Sequence, residues 1–112
     1  MIEAPWFNKI LNPNSSAHYQ VKAKKRKLQK KDGHTLGLAH KKPEGLETYH
    51  LKITFNPPNK INRDLDNCLA SIKGLLDGLA VAWGVNDKNF RPITIDFGEV
   101  VDNGSIHIEV IN

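Results

Sequence analysis

One apolar stripe constrains this chain more than any other feature. Leu65, Leu69, Ile72, Leu76, Leu79 and Trp83 fall at three- and four-residue steps, joined by Cys68 and Leu75. That spacing is the signature of an amphipathic α-helix with one buried face. It predicts a helix over 65–83, with Gly84 as its C-terminal stop. Tyr49, Leu51, Ile53 and Phe55 alternate with His50, Lys52 and Thr54, the period of a half-buried strand, and Pro57-Pro58 ends it. Ile93, Ile95 and Phe97 alternate in the same way. Asp102-Asn103-Gly104 then reads as a hairpin turn leading into Ile106, Ile108 and Val110.

The N-terminal half is less patterned. Residues 1–14, with Pro5 and Pro13, suit a short edge strand and an irregular Asn-rich turn. Ser15 or Ser16 can cap a helix running to about Lys31, on which Ala17, Val21 and Leu28 form only a thin apolar stripe. Asp32-Gly33 reads as its stop, and 33–46, with Gly33, Gly37, Pro43 and Gly45, as a loop. No internal repeat and no second domain is visible. The expectation is one small α/β domain over 1–112 with a mixed sheet. Its strands fall near 49–55, 92–101 and 105–111, its basic N-terminal helix near 15–31 and its long amphipathic helix near 65–83.

Charge is divided unevenly along the chain. Residues 1–63 carry 13 Lys/Arg against 4 Asp/Glu, and residues 64–112 carry 3 against 8. This asymmetry suggests a polyanion-binding surface joined to an acidic site, although a basic tail beside an unrelated acidic region has the same arithmetic. Lys22, Lys24, Lys25, Arg26, Lys27, Lys30 and Lys31 crowd one ten-residue stretch, and Arg63 precedes the first acids. These eight are the candidate DNA-phosphate contacts, which give affinity and salt dependence without sequence readout. Trp6, Phe7 and Tyr19 can stack on bases or serve as core or dimer contacts. The five histidines show no zinc spacing, and the single cysteine, Cys68, excludes an internal disulfide and a cysteine-rich zinc cluster. No apolar run approaches the roughly 18–20 residues of a membrane span, and no signal-peptide pattern opens the chain. The expectation is a cytoplasmic protein with no membrane partner.

The acids carry the chemistry. Asp64 and Asp66 flank Leu65, which the helix pattern assigns to the core, so both can point away from it. Asp87 lies in Gly84-Val85-Asn86-Asp87, past the far end of the same helix. An 18-residue helix is about 27 Å long, so Asp87 meets the first pair only if the chain returns along it. Phosphodiester hydrolysis adds negative charge to a group that already repels nucleophiles, and Mg²⁺ or Mn²⁺ held by carboxylates answers that. The same acids also suit plain roles: an N-cap, a favourable charge at a helix start, a turn residue.

The string Arg63-Asp64-Leu65-Asp66-Asn67, the following helix with Lys73 and Leu76-Asp77-Gly78-Leu79, and the Gly-Val-Asn-Asp turn at 84–87 together resemble the RusA family of Holliday junction resolvases. The likeness is close over about 62–90. It is looser at Pro5-Trp6, at Asn12-Pro13-Asn14 with His18, along the basic helix and in the C-terminal strands. It implies a small dimeric phage- or prophage-type α/β endonuclease that resolves four-way DNA junctions with Mg²⁺. Asp64, Asp66 and Asp87 would then be catalytic metal ligands, and Lys73 the catalytic lysine. Asn86 stands where the family's usual Asp-Asp pair has its first acid. Lys73 and Asp77 lie three residues further from Asp66 than in the commonest family spacing. On one unbroken helix that displacement keeps Lys73 on the face of Asp66, about one turn along, while pairing of Lys73 with Asp77 is the plainer role. Two rival readings stay open: a non-catalytic DNA-binding protein, and the same chemistry on other branched nucleic acids.

Overall fold

The computed structural model describes residues 1–112. Its elements are β1 (Ile2–Pro5), α1 (Tyr19–Ala39), β2 (Tyr49–Asn56), α2 (Leu65–Ala70), α3 (Lys73–Trp83), β3 (Phe90–Phe97) and β4 (Ser105–Val110), with short 3₁₀ turns at Lys9–Leu11 and Asp87–Asn89. The strands form one sheet in the order β1-β4-β2-β3, so the domain is α/β with a mixed sheet. β2 is central, antiparallel to β4 and parallel to β3, and β1 pairs antiparallel with β4. Leu51, Ile53 and Phe55 are wholly buried, as are Ile106 and, within one per cent, Ile108. These residues turn one sheet face onto Ile72, Leu75, Leu76 and Leu79. Lys52 and Thr54, between the buried positions, lie on the open face, the half-buried pattern the alternation predicts.

Three expectations change. The Asp102-Asn103-Gly104 turn does form, with Asn103 and Gly104 both at positive φ. It does not close a hairpin between β3 and β4, because β2 lies between them. The Gly98 amide donates to the Phe55 carbonyl and the Val101 amide to the Pro57 carbonyl, so the chain crosses the exit of β2 before turning into β4.

The basic helix also differs at both ends. Its cap is His18, whose Nδ1 accepts from the Gln20 amide at 3.2 Å, rather than Ser15 or Ser16. It runs through Asp32-Gly33 to Ala39, where a stop and a loop are predicted. Gly33 is not a terminator; it makes room for α3. A Cβ on Gly33 would collide with the Leu75 carbonyl oxygen, and one on Gly78 with the Lys30 carbonyl oxygen. Two helices touch backbone to backbone here, and only glycine allows that. Beyond the glycines, Trp83 Nε1 donates to the His40 carbonyl at 2.8 Å, fastening the ends of α1 and α3.

The third change is a break in the long helix at Ser71-Ile72. In a continuous helix the Leu75 amide would donate to the Ser71 carbonyl. Instead Gln29 of α1 takes both groups: its Nε2 donates to the Ser71 carbonyl at 2.9 Å, and its Oε1 accepts from the Leu75 amide at 3.3 Å. A side chain inserted into the i→i−4 ladder is a recognised cause of helix kinks. Gln29→Ala should cost about 1–3 kcal/mol, because it strands two partly buried backbone groups. Urea unfolding measures this. An unchanged midpoint would mean that the two groups pair with each other once Gln29 is gone.

Candidate functional site

The helix break and the Gly84 turn together build a cleft of about 380 Å³ between the helices and the edge strand β3. Asp66, Lys73, Asp77 and Asp87 line it, over an apolar floor that includes Leu69, Phe90 and Ile95. Asp87 reaches it because α3 ends in a glycine-based Schellman motif. Gly84 adopts the left-handed conformation, its amide donates to Val81, and the Val85 amide donates to Ala80. The next residues double back far enough to bring the Asp87 carboxylate to the Lys73 ammonium. Asn86 has a structural role of its own: its Oδ1 accepts from the Lys88 amide at 3.1 Å and caps the turn. Asn86 therefore caps this corner, while the Asp87 side chain turns toward Lys73.

Lys73 opens α3 and extends its ammonium between two acids. Nζ lies 3.7 Å from Asp77 Oδ1 and 3.8 Å from Asp87 Oδ2. These are ion pairs beyond hydrogen-bond length, and the lysine side chain is 66% exposed, so little holds it against a competing anion. Asp66 is exposed, and its Oδ1 accepts from the Asn67 amide at 2.9 Å. Of the residues singled out by sequence, the fold thus brings Asp66, Asp87 and Lys73 to one cleft. It adds Asp77, which the sequence marked by the Leu76-Asp77-Gly78-Leu79 string and by its four-residue spacing from Lys73 but not as a catalytic or metal-binding residue.

Asp64 is not among them. It sits at the N-cap of α2 but makes no capping bond; its nearest polar partner is Asn67 Nδ2 at 3.5 Å. It lines a separate cleft with Trp6, Lys9 and Arg63. Cys68, 2% exposed, packs in the core, and burial foremost pushes its thiol up, with Arg63 opposing and Asp64 and Asp66 adding to the rise. No three His, Cys, Asp or Glu side chains stand close enough to hold one metal ion between them.

The basic helix is as free as its sequence suggests. Lys24, Arg26, Lys27, Lys30 and Lys31 are exposed, Lys22 and Lys25 half-buried, and none of the seven forms an ion pair. Phe7 is buried and Tyr19 is 71% exposed, while Trp6 stacks on Phe7 with ring centroids 4.6 Å apart. No helix is long and apolar enough to cross a membrane.

Fold and cleft define a small α/β domain with an acid-rich cleft at a sheet edge and an unpaired basic helix. No protein-family model matches it. The chain is 31% identical to an uncharacterized protein of Xylella fastidiosa (strain Temecula1 / ATCC 700964), over 95% of its own length and 72% of that protein's. It belongs to the family of that protein.

Proposed function

We propose that this protein is a Mg²⁺-dependent endonuclease of the RusA kind, acting as a homodimer on four-way DNA junctions. The observation that carries the proposal is one solvent-open cleft lined by Asp66, Asp77 and Asp87, with Lys73 reaching between Asp77 and Asp87. Carboxylates are the ligands hard cations choose. No three acids surround one point, so the side chains here would supply only part of the coordination shell of Mg²⁺ or its substitute Mn²⁺, with water and the substrate's phosphate supplying the rest. Such an ion, when bound, supplies water activation and neutralises charge on the leaving oxygen. Asp66 and Asp87 are its proposed ligands, with Asp77 beside them. Asp64, in the neighbouring cleft, is the outlying member of the set.

Lys73 has its own part. Its loosely held ammonium can leave Asp77 and Asp87 for the scissile phosphate, offsetting negative charge as it develops. The free cations of α1, with Arg63, grip the DNA backbone regardless of sequence. Support for the twofold partner comes from β3. Its Ile93, Ile95 and Phe97 pair in register with Leu51, Ile53 and Phe55, and so face the helix side of the sheet. Yet Ile93 and Phe97 remain 37% and 36% exposed at an unpaired edge.

Lys73→Ala should slow single-turnover junction cleavage about 100-fold, the usual cost of losing one charge-stabilising group. It should change stability by under about 1 kcal/mol, since the pairs it breaks are exposed. Cleavage at the wild-type rate would remove Lys73 from the mechanism. A panel of four-way junctions, flaps, forks, linear duplex and branched RNA separates a junction enzyme from one of the same chemistry on other branched nucleic acids.

A further inference from the structure

We infer that the second cleft, on the Asp64 side of α2, is a binding site for one unpaired nucleotide, its base stacked on the Arg63 guanidinium. The inference rests on nucleic acid being the ligand, as the proposed function has it, but not on cleavage.

The cleft is larger than the acid cleft, about 490 Å³, and mostly polar. That is room for a small organic ligand. Its wall carries a stacked aromatic pair with an arginine against it. Phe7 lies against one face of the Trp6 indole, with centroids 4.6 Å apart and planes 28° apart. The Arg63 guanidinium carbon lies over the Trp6 ring, 5.4 Å from its centroid. Arg63 itself lines the cleft, so its guanidinium plane stands at the cleft wall beside the aromatic pair.

That plane is held in place. Arg63 Nη1 donates to the carbonyls of Asn59 and Ile61 at 3.2 and 3.0 Å, and Nη2 donates to Asn59 Oδ1 at 2.8 Å. Three of the five N–H donors of an arginine are thus committed to its own loop, and two are left for a ligand. A fixed guanidinium plane is a stacking platform that single-stranded bases use, and it stacks every base alike. Around it stand groups suited to the rest of a nucleotide. Lys9 offers a charge for phosphate, while the Asn62 and Asn67 amides and the exposed Asp64 carboxylate offer donors and acceptors for a base edge. The site also continues the basic helix: Lys25 of α1 lines a smaller hollow that shares Trp6 and Phe7 with this cleft. A strand gripped by α1 can therefore pass the aromatic pair and lay an unpaired base beside α2, whose other side carries the acid cleft.

The test measures binding in EDTA, where cleavage plays no part. A single-stranded tetranucleotide carrying 2-aminopurine is compared with the same strand made abasic at that position. The fluorescent base should be quenched on binding, and the abasic strand should bind about tenfold or more weakly, the loss of one stacked base. Arg63→Lys keeps the charge and removes the plane, so it should abolish both the quenching and the base dependence. Equal binding of the two strands by the wild type overturns the inference, as does an Arg63→Lys protein that still quenches. Base-dependent binding supports it even if the protein cuts no junction, and its absence overturns it even if the protein does.

Discussion

Gly78→Ala should destabilise the domain by about 3 kcal/mol or more, the upper end of what overpacking costs. For a domain whose whole stability is on the order of 5–15 kcal/mol, that is a large share. At an exposed helical site the same change would stabilise by up to about 1 kcal/mol, because alanine is the better helix former. The sign reverses here because the added methyl would meet the Lys30 carbonyl oxygen, and a second contact at 2.7 Å lies at the His34 amide nitrogen. Both are backbone atoms of α1, so no rotamer change relieves the clash; the helices must separate. Chemical denaturation measures the loss. A wild-type midpoint would contradict the backbone-to-backbone packing of α1 on α3.

The second large effect concerns chemistry. Asp87→Asn keeps shape and removes charge, and it should lower single-turnover cleavage by at least about 100-fold. Losing only an outer-shell partner of a metal ligand already costs up to that much. Junction binding should survive, since the change removes a charge that repels phosphate. The fold should survive too: the Asp87 side chain is 49% exposed, and its contact to Lys73 is a 3.8 Å ion pair. Asp66→Asn should behave alike. If either variant cut junctions nearly as fast as the wild type, that acid would have no place in the mechanism.

What could be read from the chain followed its local periodicities. The alternation of 49–55 and 105–110 and the apolar stripe of 65–83 report which faces are buried, and these faces form the core. Gly84 was legible as a stop because a left-handed residue after a helix is a local requirement. The unread features depend on partners far along the chain. Gln29 breaks the long helix from more than forty residues away, and nothing within 65–83 announces it. Gly33 carries the marks of a helix stop until Leu75 is set against it, when it becomes a contact point. Asp102-Asn103-Gly104 has the right chemistry for a tight turn, but turn chemistry does not say whether another strand lies between its arms. At the site, Asp66, Lys73 and Asp87 were nameable from motif resemblance. Their convergence was not, because it depends on the doubled-back Gly84–Asp87 segment. Asp64 carried the same motif signal as Asp66, yet two residues at a helix start are enough to turn it into a different cleft.

The central claim is metal-dependent cutting of branched DNA. A four-way junction labelled on one strand at a time, incubated with the protein in Mg²⁺ and in EDTA, tests it most directly. The account predicts paired incisions in opposing strands in Mg²⁺, none in EDTA, and bound but uncut junction with Asp66→Asn and Asp87→Asn. A junction that is bound by the wild-type protein yet stays intact in both Mg²⁺ and Mn²⁺ would contradict it.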